Sequence, residues 1–304
     1  MNIIASIIHV LLALILSPLL VGIINRTKAK FAGRKGQPLL QAYYDLIKLL
    51  KKGSVYSTTS TWVFRLGPVA ALSAVIISIM IIPSGGIGGM LAFPGDFILM
   101  AYILGMARFV TVIAAMDTGS AFEGMGASRE VQFAIIAEVV LLLGLAVLAA
   151  GTREISLSGI YSGLWDNSAS PLGPAAFLVF FAFLIVLLAE NARIPVDDPN
   201  THLELTMIHE VMVLDHGGVD LAFIQYGASL KLWLFSALLV GIAMPLRTGD
   251  PLTDMAVNVI GIFAVAVLVG IIESGMARLR LLHVPQMLIV ALSVTVAALL
   301  WTLR

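Results

Sequence analysis

Cysteine is absent from the 304 residues, which excludes disulfides and any iron–sulfur cluster held by this chain's own thiolates. Charge is scarce as well. Asp, Glu, Lys and Arg make up 12% of the chain and cancel to a formal net charge of +0, which removes the electrostatic basis for binding nucleic acid. The five histidines are scattered from His9 to His283 and offer no close pair of the kind that holds haem. No convincing short-period repeat is present. Apolar residues, in contrast, reach 60% with a mean hydropathy of +1.02, a composition that belongs in a bilayer.

The apolar residues fall into eight blocks: Ile3–Ile24, Leu66–Pro83, Phe97–Met116, Val131–Ala150, Pro174–Glu190, Val219–Met244, Asp254–Ile272 and Val284–Trp301. Each approaches the roughly 20 residues that a membrane helix needs. The first block lacks a basic n-region and runs directly into basic Asn25–Lys30, so it reads as a retained helix rather than a signal peptide. Between the first two blocks lie nine basic residues and the single acid Asp45. Arg129, Arg193, Arg278 and Arg280 fall in loops on that same side, against Arg153, Arg247 and Arg304 opposite. The positive-inside rule then makes the first loop cytoplasmic. The expectation is an all-α integral membrane protein of about eight transmembrane helices, one domain over 1–304, with both termini on the outer side. It has a large cytoplasmic first loop and an acidic third inner loop, and the Gly/Pro/Ser-rich outer connections read as simple turns.

Charge inside a bilayer is costly and usually functional, and three inner regions carry it. The first is Arg34-Lys35-Gly36-Gln37-Pro38 followed by Gln41, Asp45 and Lys48. The three- and four-residue spacing of Asp45, Lys48 and Lys52 puts them on one helix face, where opposite charges can pair. Apolar Leu39, Leu40, Leu46, Ile47, Leu49 and Leu50 would lie along the membrane surface; the alternative is a basic loop that only sets orientation. The second region holds Arg108, Asp117, Glu123, Arg129, Glu130 and Glu138, groups spaced for a water-linked proton relay. Its structural alternative is an ion pair between Arg108 and Glu138 of the neighbouring helix.

The third region runs from Glu190 through Arg193, Pro195, Asp197, Asp198, His202, Glu204, His209, Glu210, Asp215 and His216. Seven acids between Glu190 and Asp220 face one Arg193, and such crowding favours proton uptake near neutral pH. The His and Glu order does not match His-Glu-x-x-His, so a protease zinc site is not expected and no metal is assigned; ordinary loop hydrogen bonding or a proton relay suits His202, Glu204, His209 and Glu210 better. Lys231 sits too deep in the sixth block to snorkel and should meet a carboxylate or a wet cavity. Glu273, Arg278 and Arg280 close the inner side.

Several separated motifs resemble the membrane-arm subunit that abuts the soluble arm of respiratory complex I (the subunit 1 family of NADH–quinone oxidoreductases). They are still more similar to the corresponding subunit of energy-converting, group 4 membrane-bound NiFe hydrogenases, including formate hydrogenlyase. The motifs are Arg34-Lys35-Gly36 with Gln41, Asp45 and Lys48-Leu49; Asp117-Thr118-Gly119-Ser120 with Gly126-Ala127-Ser128-Arg129-Glu130; Glu138; Glu190, Pro195, Asp197, Pro199 and Glu204-Leu205; and Glu273 with Met276-Ala277-Arg278. Where complex I relatives have Pro-Glu-Ala-Glu-Ser-Glu-Leu, this chain has Pro199-Asn200-Thr201-His202-Leu203-Glu204-Leu205. Two carboxylates are missing there, with His202 at one of the positions.

The resemblance implies a membrane-anchoring subunit that couples redox chemistry to ion translocation and makes or breaks no substrate bond itself. Its partners would be NiFe hydrogenase large and small subunits, an iron–sulfur protein, antiporter-like membrane subunits and a formate dehydrogenase, within membrane lipid at the inner membrane. The NiFe centre and iron–sulfur clusters would sit in those partners, with no cofactor bound by this chain alone unless quinone binds. Arg108, Asp117, Glu123, Arg129, Glu130, Glu138, Glu190, Arg193, Asp197, His202, Glu204, Glu210, Asp215, Lys231 and Glu273 would form the coupling path. Arg34, Lys35, Gln41, Asp45, Lys48 and Arg278 would form the docking surface. The alternatives are a quinone-binding subunit of a complex I-like oxidoreductase and a stand-alone ion or solute transporter.

Overall fold

A segment in lipid must satisfy its own backbone N–H and C=O groups, and the apolar blocks do so as helices. The computed structural model describes residues 2–166, 172–198, 207–244 and 248–304. In chain order its helices are α1 (Asn2–Phe31), α2 (Gln41–Leu50), α3 (Trp62–Ile81), α4 (Asp96–Asp117), α5 (Ala121–Thr152), α6 (Leu157–Asp166), α7 (Leu172–Glu190), α8 (Gly218–Ala243), α9 (Pro251–Gly275) and α10 (Val284–Thr302). Eight of them are long and apolar enough to cross a membrane; α2 and α6 are the two short ones. One end of the bundle, the first-loop face, carries the connection between α1 and α3 together with those following α4, α7 and α9. The other end is the opposite face.

Helix α8 is the hub. Two thirds of its span, 67%, is buried, with Trp233, Leu234, Leu238 and Leu239 all at or below 1% exposure. Helices α1, α3, α7 and α9 pack around it. Lipid-embedded helices gain little from apolar contact alone, so close fit and polar bonds across helices hold such a bundle.

Pro18 in the middle of α1 makes room for one of those bonds. Proline has no N–H for the carbonyl four residues back, which frees the backbone oxygen of Leu14. Tyr226 of α8 donates its hydroxyl to that oxygen at 2.7 Å. The adjacent carbonyl of Ile15 accepts the hydroxyl of Tyr43 on α2 at 2.5 Å. Gly22 completes the seat, because a Cβ there would collide with the carbonyl oxygen of Leu39. The amphipathic α2 is thereby drawn against α1 while Tyr44, Ile47 and Leu50 stay exposed.

Two boundaries differ most from the sequence reading. Helix α5 starts at Ala121, ten residues before the apolar block, and α1 runs on to Phe31. The charges that marked those ends do not end the helices: Lys28 pairs with Glu273 of the neighbouring α9, and the loop after α7 folds over the first turns of α5. At Gly126 a Cβ would strike Val211, so the first turns of α5 lie directly against the 3₁₀ turn Glu210–Val213.

Candidate functional site

Five charged side chains from four helices meet below the first-loop face. Arg108 of α4 reaches Glu190 of α7 at 2.6 Å and Glu138 of α5 at 3.2 Å, with Glu130 of α5 at 3.8 Å. Lys231 of α8 closes on the other carboxylate oxygen of Glu190 at 2.7 Å. The Glu190 side chain is only 4% exposed. A planar guanidinium spreads five N–H donors over a fork, which lets it reach acids on two different helices at once. Three carboxylates against two cations leave the cluster one formal negative charge in excess.

A second network lies beside it. Glu273 of α9, with a fully buried side chain, contacts Lys28 of α1 at 2.7 Å and Arg193 at 3.6 Å. Asp197 pins the loop after α7: it pairs with Arg278 at 2.8 Å and accepts the backbone N–H groups of Ile208 and His209 at 3.0 and 3.2 Å. Arg129 donates to the carbonyl of Met207 at 2.8 Å, and Glu123 accepts the N–H of Asp215 at 3.0 Å. The chain leaving the first loop clasps the same region. The Ser54 hydroxyl donates to the Gly217 carbonyl at 2.9 Å, and His216 stacks on Phe64 with ring centres 3.9 Å apart. Burial pushes the His216 imidazole below its usual pKa, with Asp220 and Asp215 opposing part of that shift.

Three cavities converge here. An open vestibule of about 340 Å³ lies between α1, α2, α8 and the loop after α7, and its charged lining is Asp45, Arg193 and Glu210. An inner cavity of about 80 Å³ has apolar walls from α3, α4 and α8 and is edged by Arg108, Glu130, Glu190 and Lys231. A third, of about 20 Å³, is lined by Glu130, Glu190 and Asp197. A water needs about 10–15 Å³ measured this way, so the smallest holds one or two and the inner cavity several. Among the described residues, no group of three or more His, Cys, Asp or Glu side chains is placed to hold a metal ion.

Arg108, Glu130, Glu138, Glu190 and Lys231 thus come together, with Arg193 and Glu273 alongside. Several expected residues land elsewhere. Asp117 caps α3, accepting the N–H and hydroxyl of Thr61 at 2.6 and 2.9 Å, and stands apart from the cluster. Arg278, read as a docking residue, is tied to Asp197. Asp45 accepts an amide hydrogen of Gln41 at 2.9 Å rather than meeting Lys48, while Arg34, Lys35 and Lys48 are exposed. His202 and Glu204 lie outside the described residues.

Three residues escaped the site expected from sequence. Lys28 counted only as an orienting charge because its helix was ended at Ile24. Asn191, which lines both the vestibule and the inner cavity, drew no separate notice, and His209, which lines the same two cavities, was read with the third region but given no place in the coupling path.

The family model described as NADH dehydrogenase matches residues 3–303. Formate hydrogenlyase subunit 4 of Escherichia coli (strain K12) is 31% identical over 295 residues, covering 94% of this chain and 94% of the relative. Hydrogenase-4 component C of the same organism is 32% identical over 297 residues, covering 95% and 91%. Among solved structures, a chain of the membrane-bound sulfane sulfur reductase, an archaeal respiratory membrane complex, matches with a TM-score of 0.80. It is 21% identical and is covered in full, against 98% of this chain; at that identity the match speaks for the fold alone.

Proposed function

Since the chain belongs to the NADH dehydrogenase family, we propose that it is the membrane-anchoring and coupling subunit of an energy-converting, formate-hydrogenlyase-like NiFe hydrogenase. The observation that carries the coupling role is the Arg108–Glu130–Glu138–Glu190–Lys231 cluster, strung across four helices beside water-sized cavities. NiFe large and small subunits, an iron–sulfur protein and antiporter-like membrane subunits are the partners, with formate or ferredoxin as the electron source. The first-loop face is cytoplasmic and both termini are outside; the excess of Lys and Arg on that face supports this orientation. Exposed Arg34, Lys35 and Lys48 contribute the docking charge.

In this reading, an electron arriving on a partner's cluster above the first-loop face adds negative charge next to the ion pairs. Low local dielectric makes them respond strongly to that field. Arg108 can then redistribute its contacts among three acids, releasing one carboxylate to take or give a proton. The chain forms and breaks no substrate bond; it converts a redox event into a charge displacement that adjoining membrane subunits receive.

The second reading is a quinone site, favoured by the apolar wall of Pro68, Leu72, Val75, Met212 and Phe223 in the inner cavity. At about 80 Å³ that cavity is well below the roughly 300 Å³ at which ligand pockets begin, so this reading requires it to widen. Purification of the tagged chain in gentle detergent separates the two. Co-purified NiFe subunits with hydrogen evolution support the coupling subunit. Inhibitor-sensitive quinone reduction without a NiFe subunit would overturn it.

A further inference from the structure

Among the described residues, His209 is the one ionisable residue that lines the vestibule, the inner cavity and the small third cavity alike. Its position is set by the backbone. Its N–H is bonded to Asp197, itself held by Arg278, and its carbonyl accepts the N–H of Met212 at 3.1 Å as the 3₁₀ turn begins. Among the described residues none hydrogen-bonds to the imidazole, which leaves both ring nitrogens for water. The vestibule that His209 lines is also lined by Asp45, Arg193 and Glu210, and the two inner cavities by Arg108, Glu130, Glu190, Lys231 and Asp197.

We propose that His209 is the proton carrier between the vestibule and the buried ion-pair cluster, an inference that rests on the coupling function above. Imidazole is suited to this place because it can bind a proton at one nitrogen and release one from the other near neutral pH. The cluster has a reason to receive it: one carboxylate is in excess, and a buried uncompensated charge is expensive. Glu130 is the acceptor. Its contact with Arg108, at 3.8 Å, is the longest in the cluster, and it lines both inner cavities with His209.

Inward, one ring nitrogen takes a proton from vestibule water, and the other passes its proton through cavity water to the Glu130 carboxylate. Rotation of the ring restores the starting tautomer. No electron is consumed and no bond to carbon changes. The reverse sequence returns the proton when the charge above the site changes.

The test uses the whole complex in sealed membrane vesicles, measuring protons moved per hydrogen formed and its pH profile. His209→Gln keeps a polar side chain that does not titrate. It should slow proton movement about a hundredfold, in the range of a lost acid–base group, so that protons moved per hydrogen fall while partner subunits still co-purify. His209→Ala should regain proton movement on adding imidazole, and substituted imidazoles of different basicity should shift the pH optimum with their own pKa. A purely structural histidine would show no such dependence on the added base.

A parent complex that moves protons alongside an equally active His209→Gln variant overturns the carrier and leaves the coupling function standing. Loss in His209→Ala that no imidazole restores also overturns the carrier. A parent complex that forms hydrogen and moves no ions removes the coupling function, and the carrier with it.

Discussion

Both faces of the bundle bury carboxylates, and only the first-loop face pairs some of them with cations from other helices. On the opposite face, Asp96 and Asp254 are 0% and 5% exposed, and each is held by neighbouring chain. Leu157 donates its N–H to Asp96 at 2.7 Å, and Thr248 donates its N–H and hydroxyl to Asp254 at 2.6 and 2.8 Å. On the first-loop face, Glu190 and Glu273 are as deeply buried, yet they answer to Arg108, Lys231 and Lys28 on other helices. A backbone donor cannot leave without unravelling a turn. A guanidinium on a flexible stem can exchange one acid for another with its charge still paired. The opposite face therefore holds its acids by chain alone, whereas the first-loop face holds both kinds. Glu123 and Asp197 accept backbone N–H groups, and Glu190 and Glu273 are held by mobile cations, which in the proposed function are the groups that respond.

The sharpest way to break that comparison is to remove the shared cation. Arg108→Ala would leave Glu130 and Glu138 without their partner and Glu190 with Lys231 alone. Breaking a buried pair from one side costs about 3–5 kcal/mol. The expected outcome is a lower thermal midpoint in detergent together with loss of ion movement. Glu138→Gln acts at the edge of the same cluster, where the side chain is 30% exposed and 3.2 Å from Arg108. It should leave assembly intact and reduce ions moved per turnover; unchanged ion movement would take Glu138 out of the path.

What the sequence disclosed about the two ends was unequal for a physical reason. Spans were legible because lipid demands long apolar runs, and Lys231 was legible because a central ammonium needs a partner. Asp117 was not, since its partner Thr61 lies 56 residues away and nothing in the local pattern separates a distant cap from a relay acid. Lys28 was missed because charge reads as the end of a span, whereas α1 carries it another turn to meet Glu273. The extension of α5 through Glu123, Arg129 and Glu130 was hidden likewise. Those charges look loop-like until the 207–216 segment folds over them.

A control on the opposite face sharpens the contrast with a smaller effect. Asp254→Asn keeps one carbonyl oxygen to accept from Thr248 and loses only the charge assistance of those bonds. The cost should be about 1 kcal/mol, read as a modest drop in thermal midpoint with ions moved per hydrogen unchanged. Ion movement lost in this variant would mean that the opposite face also responds, and the distinction between the two ends would fail.

The mildest effect concerns the clasp at the edge of the first-loop face. His216 is neutral and buried against Phe64, with its pKa held below the ordinary value of 6.5. Above that ordinary value neither the closed nor the opened clasp holds the proton, and pH has no leverage. As pH falls below it, the opened form gains a proton that the closed form refuses, so the closed clasp loses stability until the depressed pKa is passed. Cleavage of residues 53–60 by added protease should therefore rise as the medium is acidified from neutral. His216→Phe keeps a ring to stack on Phe64 and cannot titrate. It should flatten that dependence without altering cleavage at neutral pH, and an unchanged acid response would assign the effect to the Asp220 and Tyr56 side of the clasp, where the Tyr56 hydroxyl is bonded to the Asp220 carboxylate.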